Sequence, residues 1–378
     1  MDTDVTKSPS PQPPRIPTAP PAAPRNVNQR RKKERSGGRG WMWFSFTLLF
    51  LVGLLALNQF ALLLDGAGLA TASTQGAKLS DYVIEDNGAQ DEIAVIPVTG
   101  MISSAPITRG SSMVSRVKEK LDLAAQEDSV KAVILKVNSP GGEVLASDEI
   151  AIAIRDFQKE TGKPVVASMG SMAASGGYYV SAPCRWIVAN PLTITGSIGV
   201  IMHGYNYRGL MDKVGVAPMV FKSGRFKDML SPDKIPEEVS VEEKQMVQGM
   251  IDETYEQFKK VILEGRTEAS QANGKDGKTL VSGWTDYADG RILTGTKAHE
   301  LGFADELGNL ETAFERAKIL SQSSTANLIG YSEPFGLADL FRIAGERMDR
   351  ELRLDIDLPL SKINSGLLYF LWEGPSRY

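Results

Sequence analysis

The stretch Met169-Gly-Ser-Met-Ala-Ala-Ser-Gly-Gly-Tyr-Tyr179 predicts the end of a strand, a tight turn and the beginning of a helix. A short apolar run at 164–168 precedes it, and small residues with a glycine pair follow. Free backbone N–H groups at a helix N-terminus stabilise an anion that forms beside them. Ser175 is therefore the candidate nucleophile. The alternative is that residues 173–177 are small only because a helix packs closely on a sheet.

Short apolar segments alternate with amphipathic ones from Glu92 onward. Strands are predicted at 93–98, 132–137, 164–168, 186–189 and 198–202, and helices at 113–125, 145–159, 241–264, 296–301 and 310–320. This alternation is typical of βα units on a largely parallel sheet. We expect one α/β domain over residues 91–322.

The first 40 residues have a different composition. Residues 1–25 hold eight of the 20 prolines, and residues 1–40 hold nine Lys and Arg against three Asp and Glu. Such a segment cannot bury a core, so we expect a disordered, basic head. The head has a net charge of +6 and the whole chain has −4, so the remainder has −10, which argues against nucleic acid as a partner.

Residues 41–64 carry no charged side chain over 24 positions, which is long enough for a helix to span a bilayer. Trp41 and Trp43 would lie at the interface, and the basic head would remain in the cytoplasm. The segment predicts a single-pass anchor in the cell (inner) membrane. A linker at 65–90, the domain and a tail at 323–378 would then follow on the extracytoplasmic (periplasmic) side.

A cleaved signal peptide is the alternative, since Ala70-Thr-Ala72 has the small-x-small pattern of a cleavage site. The apolar run is longer than the central region of an ordinary signal peptide, which favours a retained anchor. The soluble domain faces outward on either interpretation.

The supply of cysteine and histidine limits the chemistry. One cysteine, Cys184, excludes an intrachain disulfide and a zinc site built from cysteines. His203 and His299 are the only histidines, and each is better explained as a surface or packing residue. We expect no metal and no cofactor, and a serine nucleophile would then depend on lysine as its base. Lys222 and Lys227 are two candidates between which the composition does not choose.

Two further glycine-rich segments are candidates for the same site. Asn138-Ser-Pro-Gly-Gly142 directly follows a predicted strand, at the end where open α/β sheets bind ligands. The backbone N–H groups of Gly142 and Gly176 could form an oxyanion hole. In Thr195-Gly-Ser-Ile-Gly199, the hydroxyl of Ser197 could orient a catalytic amine. Taken alone, each of these segments is explained equally well as an ordinary turn.

Five motifs in this order resemble the signal peptide peptidases of the SppA type, over about residues 93–320. They are Asn138-Ser-Pro-Gly-Gly, Ala173-Ala-Ser-Gly-Gly-Tyr, Thr195-Gly-Ser-Ile-Gly, Phe226-Lys-Asp, and Ala288-Asp-Gly-Arg with Thr294-Gly, Ala298 and Leu301-Gly. The resemblance implies a membrane-anchored serine protease with a Clp-protease-like, crotonase-related α/β fold of repeated ββα units. It also implies a Ser-Lys dyad of Ser175 and Lys227, with Ser197 hydrogen-bonded to the lysine amine and Gly142 and Gly176 as the oxyanion positions.

The resemblance further implies a homo-oligomeric ring in which neighbouring subunits share active sites. The expected function is an endopeptidase that cleaves remnant signal peptides or other apolar membrane-associated peptides. The alternatives are a regulatory or quality-control protease for specific membrane proteins, an inactive scaffold of the same fold and, more weakly, an acyl-thioester enzyme. In the predicted tail, the apolar run at 366–372 is expected to pack on its own domain.

Overall fold

The computed structural model describes residues 44, 46–55, 59, 79–106, 111–332 and 369–371. The chain forms two compact units, Met1–Gln75 and Gly76–Tyr378. In the first unit the described residues are helical and exposed. No helix among the residues that can be described is long and apolar enough to cross a membrane. The predicted head and half of the predicted span at 41–64 lie outside the described residues.

The second unit contains eleven strands within its described residues. They are β1 (Ser80–Glu85), β2 (Glu92–Thr99), β3 (Val130–Ser139), β4 (Gly141–Glu143), β5 (Val165–Ala174), β6 (Trp186–Ala189), β7 (Ile194–Gly196), β8 (Ile292–Thr294), β9 (Glu306–Leu307), β10 (Asn327–Ser332) and β11 (Tyr369–Leu371). Nine of them form one sheet in the order β1-β10-β2-β3-β5-β6-β9, with β7 paired to β5 and β8 paired to β7. The other two, β4 and β11, pair with each other.

The helices of this unit connect the strands. They are α1 (Met113–Gln126), α2 (Val144–Thr161), α3 (Gly176–Ser181), α4 (Arg208–Val214), α5 (Val241–Asn273), α6 (Gly295–Glu300) and α7 (Leu310–Ser321). Short 3-10 turns lie at Pro236–Glu238 and Trp284–Tyr287. Ser112 caps α1 by accepting a hydrogen bond from the Ser115 amide, and Asn309 caps α7 in the same way.

The central strands β2, β3, β5 and β6 run parallel, as the apolar runs predicted. Strand β2 shows why their buried residues are apolar on both faces. Its residues Ala94, Ile96 and Val98 face a core shared with α1, α2 and α5, whereas Ile93 and Val95 face a second core shared with α7. Because successive side chains point to opposite faces, a strand covered by helices on both faces must be apolar at every position.

The sheet also takes strands from ranges that the sequence predicted as linker and tail. Strands β1 and β10 pair with each other, and β10 lies between β1 and β2. All residues of β1 are exposed, so no buried periodicity marks it in the sequence. The predicted strand at 198–202 was wrong, because after Ser197 the chain leaves the sheet and makes only an isolated bridge at Ile201.

A buried ion pair connects α5 to the residue before β9, and through it to β6 and the segment before β6. Arg266 and Asp305 have fully buried side chains and bond to each other. Asp305 also accepts hydrogen bonds from the backbone amides of Ile187 at 2.8 Å and Lys278 at 3.1 Å, and Arg266 Nη1 donates to the Cys184 carbonyl at 3.0 Å. The pair therefore fixes α5 against the polypeptide that follows α3.

Replacing Asp305 by asparagine should lower the free energy of unfolding by roughly 3–5 kcal/mol, because it leaves the guanidinium of Arg266 buried without its counter-charge. The matched control is Glu300→Gln, which breaks the exposed Lys297–Glu300 pair of 3.0 Å. That change should cost less than about 1 kcal/mol. Urea denaturation measures both, and equal losses for the two variants would contradict this role of the pair.

Candidate active site

The chain turns sharply at Ser175, between strand β5 and helix α3. Ser175 has φ 53° and ψ −115°, a left-handed conformation that is strained for a residue with a side chain. Its amide donates to the Gly196 carbonyl at 2.8 Å, and its carbonyl accepts from the Tyr179 amide at 2.8 Å. The residue is 1 % exposed, and its Oγ has no hydrogen-bond partner among the described residues. This buried, unpaired hydroxyl at a helix N-terminus needs a functional explanation.

The turn at Ser175 packs directly on the segment that joins β3 and β4. A Cβ atom on Gly176 would lie 2.6 Å from the Ser147 Oγ and 3.1 Å from the Gly142 nitrogen. A Cβ atom on Gly177 would lie 2.8 Å from the Ser139 carbonyl oxygen. The glycine-rich segments at 138–142 and 175–177 therefore meet, as expected from their positions at the ends of neighbouring parallel strands.

The backbone of Gly142 is held in a defined orientation. The Ile102 amide donates to the Gly141 carbonyl at 2.8 Å, and the Glu143 amide donates to the Ile102 carbonyl at 2.9 Å. Since these bonds face Ile102, the N–H and C=O of the intervening Gly142 point to the opposite side. Ser103 Oγ and the Ser104 amide donate to the Glu143 carboxylate at 2.7 and 2.9 Å, which fixes this strand further.

Partial burial of Glu143 works to raise the pKa of its carboxyl group, but the hydrogen bonds from Ser104 and Ser103 outweigh burial and lower that pKa overall. The carboxylate form that anchors β4 is thereby favoured at neutral pH.

Ser197 lies beside Ser175 in the sheet. Strand β7 pairs in parallel with β5, with Gly196 opposite Ala174, so that the next residue of each strand is a serine. Ser197 also has a left-handed backbone, φ 49°, and its amide donates to the Arg291 carbonyl at 2.7 Å. The two serines predicted to act together are brought to one end of the sheet.

Lys227 does not contact Ser175 within the single chain. It is an exposed residue in a turn at 225–230, and its amine makes no hydrogen bond or ion pair with any described residue. Lys222, the other candidate, lies with its amine 2.6 Å from Asp228 Oδ2. This hydrogen bond from Lys222, together with the charge of Lys234, lowers the pKa of the Asp228 carboxyl. The Lys222 amine is therefore engaged by a carboxylate of its own segment, whereas the Lys227 amine is not.

The segment that carries Lys227 is attached to α5 and otherwise exposed. The Lys234 amine lies 2.7 Å from Glu243 Oε1 of α5, and both side chains are largely buried. By contrast, Met219 is 81 % exposed and Phe221 is 89 % exposed, and α4 buries none of its residues. Within the described residues, this apolar arm at 205–221 is the largest run of exposed apolar side chains in the second unit.

Within the described residues, neither the histidines nor the cysteine pairs with the Ser175 hydroxyl. Because the Ser175 hydroxyl has no partner there, it pairs with neither His203 nor His299. Burial raises the pKa of the Cys184 thiol to about 12, so the reactive thiolate is not populated at neutral pH. The described residues contain no group of three or more His, Cys, Asp or Glu that could hold a metal ion.

Comparison with known proteins identifies the family. The family model of peptidase family S49 matches residues 157–324, a range that includes Ser175, Ser197 and Lys227. The chain is 39% identical over 230 residues to "Putative protease slr0021" of Synechocystis sp., covering 61% of this chain and 74% of that protein. It is 34% identical over 261 residues to "Putative signal peptide peptidase SppA" of Enterococcus faecium, covering 67% and 71%. The chain belongs to peptidase family S49.

S49 peptidases are serine proteases, and so is this chain. The resemblance to SppA-type peptidases stated from the five motifs is thereby confirmed. A solved structure of a mutant 1510-N membrane-bound stomatin-specific protease in complex with a substrate peptide is also similar. It has a TM-score of 0.38 and 15% identity, and the match covers 68% of this chain and 99% of that one.

The sequence did not predict that residues 102–104 and 369–371 of this S49 peptidase lie against the strand that carries Gly142. Ile102 orients Gly142, yet nothing in its local sequence distinguishes it from any apolar residue at a strand end. The apolar run at 366–372 was noticed, but its pairing with Gly141–Glu143 joins positions more than 200 residues apart. Periodicity reports local structure and carries no signal for such a pairing.

The strain at Ser175 can be measured by comparing two substitutions. Ser175→Gly should be more stable than Ser175→Ala by about 1–3 kcal/mol, because glycine adopts positive φ without a steric penalty. Free energies of unfolding from urea titration provide the measurement.

The matched control is Ser181, which is also buried but lies within α3. There the order should reverse, with Ser181→Gly less stable than Ser181→Ala by about 0.5–1 kcal/mol. The same order at both positions would show that the backbone at Ser175 is not strained.

Proposed function

We propose that this S49 peptidase is a Ser-Lys dyad endopeptidase in which Ser175 attacks the peptide carbonyl. Lys227 acts as general base, Ser197 orients its amine, and the N–H groups of Gly142 and Gly176 bind the oxyanion. The observation that carries the proposal is the strained Ser175, whose buried hydroxyl has no partner in the described chain and whose neighbour Gly176 packs against Gly142. Strained backbone at a buried polar residue is typical of a preorganised nucleophile.

The oxyanion hole is supported by the directions of the two amides. The Gly142 N–H points away from Ile102, and Gly176 is the first residue of α3, where the backbone N–H has no partner within the helix. The Gly142 nitrogen lies 3.1 Å from the position of a Cβ on Gly176. Two N–H groups that point at one carbonyl oxygen under attack stabilise the negative charge that develops on it.

The chemistry follows the general course of acyl transfer. Lys227, in its uncharged form, accepts the hydroxyl proton as the Ser175 Oγ bonds to the carbonyl carbon, and the carbonyl π electrons move to oxygen. The intermediate collapses, the C–N bond breaks, and the lysine gives its proton to the leaving amine. Water then attacks the acyl-enzyme with the same lysine as base, which releases the carboxylate and restores Ser175.

We further propose that Lys227 reaches Ser175 of a neighbouring subunit in a homo-oligomeric ring. Two observations support this. The Lys227 amine makes no hydrogen bond or ion pair with any described residue of its own chain, and the apolar arm at 205–221 that precedes it is exposed. An exposed run of apolar side chains, as in this arm, is typical of an interaction surface. A head-to-tail contact between arms and neighbouring domains would bury the arm and complete the site in one step.

The proposed substrate class is the one that the five motifs imply, and the proposed location is the one that the apolar run at 41–64 predicts. We propose that the enzyme cleaves remnant signal peptides or similar apolar peptides, bound in extended form as an added strand. The anchor at 41–64 would hold a Clp-protease and crotonase-like domain on the extracytoplasmic side of the membrane. The similar protein from Enterococcus faecium is named a putative signal peptide peptidase, which supports this substrate class.

Complementation tests the dyad and the shared site together. Ser175→Ala and Lys227→Ala chains should each be inactive alone, and co-expression should restore peptidase activity. In a mixed head-to-tail ring, roughly a quarter of the sites would pair an intact serine with an intact lysine. The measurement is hydrolysis of a fluorogenic apolar peptide by rings purified through two different tags.

The control is co-expression of Ser175→Ala with a differently tagged Ser175→Ala chain, which should stay inactive. A doubly tagged mixed ring of the two complementary variants that remains silent would show that both residues come from one chain. Activity of the Lys227→Ala chain by itself would exclude the lysine as the base.

A further inference from the structure

Strand β5 is interrupted by a bulge just before the nucleophile. Its register with β3 shifts there, so that the single residue Asn138 faces the three residues Gly170–Met172. The Oδ1 atom of Asn138 accepts a hydrogen bond from the Met172 amide at 3.1 Å. On the other side of β5, the ladder with β6 ends at Met169 and the ladder with β7 begins at Met172. Because a bulge bends its strand and redirects the side chains that follow, these three residues set the direction in which β5 reaches Ser175.

Two threonine hydroxyls hold the bulge from the side of β7. Thr193, directly before β7, donates from Oγ1 to the Gly170 carbonyl at 2.7 Å. Thr195, within β7, donates to the Ala173 carbonyl at 2.6 Å. Both threonines are buried, with 1 % and 0 % of their surface exposed. Because water does not reach these positions, a carbonyl that lost its threonine donor would gain no replacement.

The Thr195 bond lies two residues before the strained Ser175. Thr195 is opposite Ala173 in the ladder and Gly196 is opposite Ala174, and the Gly196 carbonyl accepts from the Ser175 amide at 2.8 Å. Consecutive contacts with one strand therefore lead to the nucleophile. A strained conformation persists only where the surrounding contacts over-determine it. Loss of the Thr195 hydroxyl would free the Ala173 peptide group to rotate and would let the serine relax toward an ordinary backbone conformation.

The same hydroxyls attach the strand that carries Ser197. Strand β7 has only three residues, Ile194–Gly196, and Ser197 follows it with φ 49°. So short a strand makes few ladder bonds, and the two threonine bonds add to its attachment to β5. The position of Ser197 relative to Ser175 therefore depends on the same two side chains.

We propose that Thr193 and Thr195 are positioning residues for the nucleophile, which act through the backbone of β5. Both side chains are buried, so they do not contact substrate. Their hydroxyls hold the bulge in the arrangement that aims the Ser175 Oγ at the carbonyl carbon. This rests on the proposed function, since a nucleophile other than Ser175 would not depend on the bulge. Because a misplacement of about 1 Å costs roughly a hundredfold in rate, the expected defect lies in kcat.

Isosteric substitution in the complete chain tests this role, because valine keeps the shape of threonine and removes the hydroxyl. With a fluorogenic apolar peptide, Thr195→Val should lower kcat by about tenfold to a hundredfold and change KM by less than about twofold. The rate of fluorophosphonate labelling at Ser175 should fall in parallel. Thr195→Ser, which keeps the hydroxyl, should retain kcat within about threefold.

The matched control is Thr161, whose Oγ1 donates to the Phe157 carbonyl, also at 2.6 Å. This bond lies at the end of α2, before β5 begins, whereas Ser175 follows the end of β5. Thr161→Val should lower the urea midpoint of unfolding and leave kcat within about twofold. A general loss of stability would thus appear in both valine variants, but the loss of kcat only in Thr195→Val.

Unchanged kcat and labelling rate in a folded Thr195→Val chain would overturn the proposal, and so would an equal loss of kcat in Thr161→Val. If Thr195→Val does not fold, Thr193→Val decides in its place, with the same expected losses and with Thr193→Ser as the rescue. Retained activity in Ser175→Ala would refute the proposed nucleophile. An inactive Ser175→Ala beside a fully active Thr195→Val would refute only the positioning role.

Discussion

Two backbone segments approach each other closely at their glycines, and this approach determines the geometry of the site. A Cβ atom on Gly142 would lie 1.9 Å from the Ile102 carbonyl oxygen, and one on Gly176 would lie 2.6 Å from the Ser147 hydroxyl. Any larger residue at either position forces the strand after β3 away from the turn before α3. The glycines therefore allow an amide from each segment to point at the same small volume beside Ser175.

The strain at Ser175 is sustained by the packed sheet around it. A left-handed backbone at such a residue costs about 1–3 kcal/mol. It is held by the hydrogen bond from the Ser175 amide to Gly196 and by the buried strand β5, which is paired on both sides. Because the scaffold fixes the hydroxyl before substrate arrives, little reorganisation is needed at the moment of attack. Lys227, the proposed base, lies in an exposed turn at 225–230, and under the proposed mechanism a neighbouring subunit completes the site.

Much of this arrangement follows from local sequence. The apolar runs predicted the central parallel strands, and the positions of the glycine-rich segments at strand ends predicted that they would meet. Composition does not distinguish Lys222 from Lys227, because it carries no signal for the bond that joins Lys222 to Asp228 in the structure. Strands β1, β10 and β11 were not predicted as strands either. Their pairings join distant parts of the chain, and the residues of β1 are all exposed.

Fluorophosphonate labelling followed by peptide mapping tests the central claim that the strained Ser175 is the nucleophile. Attack by the serine oxygen on phosphorus displaces fluoride and leaves a stable adduct on the reactive residue. The assembled enzyme should carry the adduct on the peptide that contains Ser175. Ser181→Ala, a buried serine in the same helix, should label normally. An adduct on any other serine, or undiminished labelling of Ser175→Ala, would contradict the account.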